Sequence, residues 1–147
     1  MGDGSVEDPN HSNRLHRALV EGVNLYNGGN FFECHEVLEQ VWLEVKEDDK
    51  MFLQGIIKIA AAFHHFRKGT FRGMLDLLIA GKGTLEGFEP CYRGVELEEF
   101  LKGVDLWIPR ARKLLQGGRL DEEAEIPPLR YAQVESDRHW SGVYRQR

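Results

Sequence analysis

The stretch NFFECHEVLEQVWLEVKEDDKMFLQGIIKIAAAFHHFRKG, residues 30–69, predicts two helices joined by a short turn. In its first half, apolar residues recur with a helical period as far as about Lys46, and Asn30 with Glu33 has the spacing of a capping box. The acidic residues 47–49 start the second helix, and Gly69 suits its C-terminal stop. Because the turn between the helices is short, we expect them to lie antiparallel and in contact.

Both helices carry ionisable side chains on faces that otherwise look like core. On a helical wheel His35 and Glu39 fall inside the apolar arc of the first helix, one turn apart, and Glu36 lies at its margin. The second helix is apolar almost all round and leaves one polar stripe. That stripe holds Gln54, Lys58, Ala61 and His65. Folding the hairpin about its turn lets the two polar sets face each other, so the sequence predicts an internal polar cluster.

The groups of this cluster need partners, because an unpaired buried charge costs several kcal/mol. We expect Lys58 to neutralise Glu36 or Glu39, and Gln54 to bond the carboxylate oxygen that remains. Trp42 lies beside the centre of the apolar face and would form one wall of the cluster.

The remaining pattern predicts three further helices. Ser12 caps the first helix of the chain after a flexible lead at residues 1–11, and Thr70 caps the helix that follows Gly69. Residues 87–95 form a loop, and the last helix runs from about Glu96 to Leu115, with Pro109 kinking or restarting it. The expected architecture is all-α, a compact antiparallel bundle of about five helices over residues 12–118.

An irregular C-terminal extension follows at residues 119–147, where two consecutive prolines and five arginines interrupt any helical stripe. We expect it to strap the bundle, or to reach a neighbouring molecule in a homodimer, anchored by Tyr131, Trp140 or Tyr144. Single residues elsewhere have plainer interpretations. Cys34 and Trp107 belong to the core, His16 to the surface, and His64 is a packed histidine bonded to a backbone carbonyl.

The composition limits the classes of function that this protein can have. The 147 residues suit one domain, and the net charge of −5 without a basic, aromatic-interleaved face argues against nucleic acid. Cys34 and Cys91 form no CxxC motif, the N-terminus lacks signal-peptide features, and no apolar stretch is long enough for a bilayer. We therefore expect a cytoplasmic protein with no membrane or nucleic-acid partner.

The helical hairpin also carries a family resemblance. Its signature is similar to F-x-E-x-H-E-x-x-E-x-x-W followed by Q-G-x-I-x-x-A-A, the pattern of the family catalogued as domain of unknown function 309. Here these positions are Phe31, Glu33, His35, Glu36, Glu39 and Trp42, then Gln54, Gly55, Ile57, Ala60 and Ala61. Tyr92 and Gly94 also fit its loop before the last helix. The resemblance spans roughly residues 15–115 and implies a small all-helical fold, but it assigns no reaction.

Three interpretations of the cluster stay open. In the first, His35 and Glu39 bind a divalent metal such as zinc, completed by His64 or His65. A metal is not required by the sequence, because no HExxH motif or third ligand at a recognisable spacing is present and Lys58 would repel a cation.

In the second interpretation, Glu36 or Glu39 is a general acid or base in a metal-free pocket, with His35 and Lys58 as further catalytic candidates. Lys58 and Gln54 would hold a polar or anionic ligand there, and the ligand-binding set is Trp42, Gln54 and His65. The third interpretation is a satisfied polar network that fixes helix register and carries no chemistry.

The sequence favours binding of a small ligand or a protein partner over catalysis. A metal-assisted or carboxylate-based hydrolase that uses the same residues is the alternative.

Overall fold

The computed structural model describes residues 9–132, with side chains from residue 13 onward. This part forms five α-helices, a 3-10 turn and three two-residue strands. The helices are α1 (Pro9–Asn27), α2 (Phe31–Trp42), α3 (Glu47–Lys68), α4 (Phe71–Leu85) and α5 (Glu98–Leu115). The strands are β1 (Cys91–Tyr92), β2 (Val95–Glu96) and β3 (Arg130–Tyr131), and the 3-10 turn is Glu86–Phe88. The predicted all-α class and the number of helices are confirmed.

Helix α3 is the central helix and packs against α2 on one side and α4 on the other. The contact with α4 is close because small residues face each other there. A Cβ built on Gly81 would lie 2.7 Å from Ile59 Cδ1 and 3.2 Å from the Gly55 carbonyl oxygen, so a larger residue there would have to displace the buried Ile59 side chain. Trp107 and Cys34 lie in the core, as predicted.

The helix ends agree with the sequence at some positions and differ at others. Gly69 follows α3 with φ +79°, and its N–H donates to Phe66 O, so the predicted glycine stop is confirmed. Asn30 makes no side-chain capping bond, so the predicted capping box does not form, and α2 ends at Trp42 rather than near Lys46. Helix α1 begins at Pro9 instead of Ser12; proline suits the first turn, where its missing N–H has no helical acceptor.

Pro109 does not restart the last helix, because α5 continues through it to Leu115. A proline in a helix interior removes one backbone donor, and here the cost falls on an exposed position.

The chain from residue 119 to residue 132 packs on the bundle, which is the strap that the sequence analysis offered as one alternative. The Tyr26 hydroxyl donates to Pro127 O at 2.8 Å. Asn27 Nδ2 donates to Leu129 O at 2.7 Å, and Leu129 N donates back to Asn27 Oδ1 at 2.9 Å. Leu129 is buried in the core, so the packed unit extends past the predicted boundary at residue 118.

The strap ends as the third strand of a small antiparallel sheet in the order β1-β2-β3. Val95 pairs with Tyr92 on one side and with Tyr131 on the other. The Tyr131 hydroxyl lies 2.6 Å from Nδ1 of His16, which is exposed as predicted. Trp140 and Tyr144, the other predicted anchors, lie outside the described residues. No helix within residues 9–132 has both the length and the apolar character to cross a bilayer.

Candidate functional site

The predicted cluster lies at the surface and not inside the bundle. No polar or charged side chain among residues 13–132 is buried. Glu36, Glu39 and Gln54 are exposed, and the other members are half-buried. Those others are His35, Trp42, Lys58 and His65. The internal placement was wrong because the apolar pattern of α2 is wider than its buried face: Leu43, at the far edge of that pattern, is 70% exposed. Phe32 is in fact 48% exposed, so the arc is narrower.

His35 and Glu39 do meet on adjacent turns of α2, as their spacing predicted. His35 Nε2 lies 3.9 Å from Glu39 Oε2, and the Glu39 side chain is 54% exposed. The His35 ring is stacked on Phe32, with centroids 6.1 Å apart and planes inclined by 19°. Its Nδ1 atom is buried and has no hydrogen-bond partner among the residues that the structure describes. This imidazole is therefore held by an aromatic ring and one distant carboxylate.

His64 approaches the same aromatic ring from α3, with its centroid 5.4 Å from that of Phe32. The predicted bond to a backbone carbonyl is not found within the described residues, and the ring is half-buried rather than packed in the core. Partial desolvation lowers the pKa of His64, and the positive charges of Lys68, His65 and His35 lower it further. The three rings of Phe32, His35 and His64 thus bridge α2 and α3.

The Trp42 ring is covered by Lys50, which was not among the residues of the predicted cluster. Lys50 Nζ lies 4.0 Å from the centroid of the Trp42 ring and donates to Trp42 O at 3.1 Å. This arrangement is a cation–π contact with a hydrogen bond that closes the turn between α2 and α3. The indole Nε1 is buried and has no hydrogen-bond partner in the described part of the chain.

In the described part of the chain, Lys58 and His65 do not pair with the α2 residues of the predicted cluster, and His65 contacts Thr70 instead. Within residues 13–132, Lys58 forms no ion pair with Glu36 or Glu39, so the predicted neutralisation is not seen. The reason is angular, because α2 packs against the neighbouring stripe of α3 that carries His64 and Lys50.

His65 has a structural role at the C-terminal end of α3. The Thr70 hydroxyl donates to His65 O at 3.2 Å, and His65 Nδ1 lies 2.6 Å from the Thr70 oxygen. With its one proton given to the carbonyl, this hydroxyl accepts from Nδ1–H. A Cβ on Gly73 of α4 would lie 3.1 Å from the same imidazole nitrogen. His65 therefore fills the start of the α3–α4 contact and does not complete a ligand site with His35.

The described residues provide no third metal ligand beside His35 and Glu39. Among the side chains that the structure describes, no group of three His, Cys, Asp or Glu could hold a metal ion.

A second feature of α2 was missed by the sequence analysis. Phe32, Glu36, Glu39 and Leu43 follow one another at i, i+4, i+7 and i+11, which places them on one line along the helix. All four are exposed, and Leu43 is 70% exposed. We call this line the α2 stripe. It has an apolar side chain at each end and two carboxylates between them.

The α2 stripe lies in the most acidic part of the chain. Residues 30–50 hold seven acidic and two basic residues, which equals the net charge of −5 of the whole protein. Two of the seven acids are paired by other elements: Glu44 by Arg14 at 2.8 Å, and Asp49 by Arg93 at 2.7 Å. Glu36 has no cationic partner among residues 13–132. The spacing of the four residues is visible in the sequence, but their exposure is known only from the structure.

Comparisons with known proteins agree with the family resemblance and add no activity. A family model described as "Domain of unknown function (DUF309)" matches residues 19–77, which cover about half of α1, all of α2 and α3, and about half of α4. An uncharacterized protein of Aquifex aeolicus (strain VF5) is 30% identical over 82 residues. Those residues are 55% of this chain, which spans a quarter of the length of that relative.

Proposed function

We propose that this chain, which belongs to the DUF309 family through residues 19–77, is a protein-binding module whose α2 stripe takes a basic amphipathic helix. The observation that supports this function is the order of the stripe: apolar, acidic, acidic, apolar, with all four side chains exposed. A complementary helix carries apolar side chains at i and i+11 and Lys or Arg at i+4 and i+7. The same spacing reads identically in both directions, so the partner helix can run parallel or antiparallel to α2.

The apolar ends of the stripe supply the favourable energy of binding. Phe32 and Leu43 are eleven residues apart, about 16.5 Å along the helix axis. Fully burying such a side chain contributes about 1.5–3 kcal/mol. The two carboxylates add specificity and speed of association more than affinity. A single helix on this face buries less than about 1,200 Å², so we expect a transient complex.

A second copy of this chain does not fit the same surface. In a twofold interface built on α2, Glu36 and Glu39 of one protomer would face the same two carboxylates of its partner. Like charges at such positions are destabilising. Charge complementarity therefore favours a basic partner over self-association through the stripe.

The test uses a fluorescently labelled synthetic helix with Leu at i and i+11 and Arg at i+4 and i+7, titrated with the full chain. We expect Glu36→Lys with Glu39→Lys to weaken binding at least about tenfold, since each like charge replaces an attraction. The matched control is Glu21→Lys with Glu122→Lys, which changes the net charge equally at exposed positions away from α2. We expect this control to change the Kd less than about threefold at physiological salt.

The proposal fails if both double variants weaken binding equally, because the attraction would then depend on net charge alone. It also fails if Leu43→Ser leaves the Kd unchanged, since the apolar ends would then not be buried on binding. Circular dichroism of each variant establishes that α2 is still helical.

A further inference from the structure

A cleft of about 570 Å³ opens where the first turn of α3, the end of α4 and β1 meet. Its walls include Asp48, Met51, Phe88, Glu89, Cys91 and Tyr92. None of these residues belongs to the α2 stripe, and most of them lie after residue 77, outside the part of the chain that matches the family model.

The cleft stays open because two positions on its α4 side have no side chain. A Cβ built on Gly83 or on Gly87 would meet no atom within 4 Å. Both glycines line the cleft, together with Thr84 between them in sequence. A side chain at 83 or 87 would therefore begin in open space at the wall of the cleft.

The chemistry of the walls favours a positive charge. Two carboxylates, Asp48 and Glu89, line the cleft, and none of the residues that the structure places in its walls is Lys, Arg or His. Three basic residues adjoin the walls in sequence, and each is engaged elsewhere. Arg93 binds both oxygens of Asp49, at 2.7 and 2.9 Å. Lys50 lies over the Trp42 ring, and Lys82 pairs with Glu86 at 2.7 Å. The negative potential of the cleft is therefore not cancelled from within its own walls.

The remaining walls favour an apolar body beside that charge. The rings of Phe88 and Tyr92 meet edge to face with centroids 4.8 Å apart, and the Met51 side chain is half-exposed at the rim. Aromatic faces attract ammonium and guanidinium groups, and thioether and phenyl groups accept an alkyl chain. The Tyr92 hydroxyl donates to Asp49 Oδ1 at 2.7 Å, which fixes the ring at the cleft wall.

We infer that this cleft binds an organic cation: an ammonium or guanidinium group on a short apolar chain, with the charge between Asp48 and Glu89 and the chain against Met51 and Phe88. A free alkylamine and the side chain of a lysine or arginine in a peptide share this chemistry. The inference is independent of the α2 stripe, because the two sites have no residue in common.

The chain contains its own reporter for this site. Cys91 lines the cleft and is half-buried, whereas Cys34 is fully buried in the core. Iodoacetamide should therefore alkylate Cys91 and spare Cys34 while the protein is folded. An occupant of the cleft should slow that reaction, which mass spectrometry of the intact chain measures.

The first probe is n-hexylammonium chloride, and the second is Nα-acetyl-lysine methylamide, which presents the same cation on a peptide unit. At a concentration ten times the Kd, either probe should slow alkylation of Cys91 about tenfold, since only the unoccupied fraction reacts. Hexanol and hexanoate have the same chain with no charge or the opposite charge, and should not protect. Protection by hexylammonium alone would identify a free amine as the ligand, whereas protection by both would admit a peptide side chain.

Variants locate the effect in the cleft. Gly83→Leu should fill the space, slow alkylation without any probe, and abolish the effect of hexylammonium. Glu89→Gln with Asp48→Asn should raise the Kd of hexylammonium at least about tenfold, whereas Glu98→Gln, an exposed residue outside the cleft, should leave it unchanged. Equal protection by hexanol would overturn the inference in favour of an apolar cavity. Absence of protection by either cation would overturn it entirely.

Discussion

The two tryptophans in the described part of the chain differ in exposure and in the hydrogen bonding of the indole N–H. Trp107 is 1% exposed and its Nε1 donates to Glu125 O at 2.7 Å, beside the strap that closes on Tyr26 and Asn27. Trp42 is half-buried on α2, and its Nε1 has no partner among the described residues. The first region satisfies its polar groups with backbone atoms, which serves stability. The second leaves two buried ring nitrogens, Trp42 Nε1 and His35 Nδ1, without a partner in the described part of the chain, so its polar groups add less to the stability of the fold.

The largest effect is expected from the strap. Asn27→Ala removes both bonds to Leu129 and leaves a buried backbone N–H and C=O without partners, so it should cost about 2–4 kcal/mol of unfolding free energy. Urea denaturation followed by circular dichroism measures this loss. Asn24→Ala, at an exposed position one turn earlier, is the matched control and should cost less than about 0.5 kcal/mol. Equal losses in the two variants would contradict the assignment of the strap as a closure.

The tryptophan pair tests the comparison directly. Trp107→Phe leaves Glu125 O without its donor and should cost about 1–3 kcal/mol. Trp42→Phe removes a donor that has no acceptor, so the unfolding free energy should stay within about 0.5 kcal/mol of wild type or rise. A larger loss for Trp42→Phe than for Trp107→Phe would reverse the contrast between the two regions.

Alkaline pH should lower the free energy of unfolding, because burial raises the pKa of two tyrosines and one cysteine in the folded chain. Burial, followed by the charge and hydrogen bond of Asp49, raises the pKa of Tyr92 to about 12 from 10.0. Between these values the unfolded chain has lost a proton that the folded chain keeps, so stability falls as the pH rises from about 10 to 12. Burial also raises the pKa of Tyr26 and of Cys34, which adds to the same slope.

Tyr92→Phe should make that slope shallower, since the variant has no phenol at this position to ionise. Urea midpoints measured at intervals between pH 9 and 12 give the comparison. An unchanged slope would mean that Tyr92 ionises equally in the folded and unfolded chains.

The smallest effect on the free energy of unfolding is expected at Glu39. Glu39→Gln removes a contact of 3.9 Å between two partly exposed groups, which should change the unfolding free energy by less than about 0.5 kcal/mol. The same substitution should weaken binding of the synthetic basic helix, since it removes one of the two charges of the α2 stripe. A loss of stability above about 1 kcal/mol would instead support the structural interpretation of this residue.

The sequence predicted Glu36 and Glu39 as residues of the candidate site, but it did not predict that their side chains face solvent. The pairing of His35 with Glu39 follows from the helical repeat and needed no tertiary information. The partners of Lys58 and His65 did not follow, because a rotation of a few tens of degrees decides whether α3 turns that stripe toward α2 or toward α4. The α2 stripe was missed because Phe32 and Leu43 look like core residues in a pattern, and only their exposure reveals them.

The position of the strap could not be predicted from the sequence, for a different reason. Residues 119–132 have no helical or two-residue period, so no local rule indicates where they pack. Their position depends on side chains about a hundred residues earlier: Tyr26 and Asn27, which donate to the backbone around Leu129. Two-residue strands such as Arg130–Tyr131 have no alternation to detect, and they exist because neighbouring backbone is available.

The amino-acid sequence by itself determined the all-α class, the helical hairpin of residues 30–69 and the family, since helical periodicity and glycine stops are local properties of the chain. The tertiary structure alone decided which polar residues meet, that the acidic face of α2 is exposed, and that the chain past residue 118 closes the core. The physical reason is that burial depends on how helices rotate and pack against one another, and that rotation is set by close contacts such as Gly55 with Gly81, which lie far apart in the sequence.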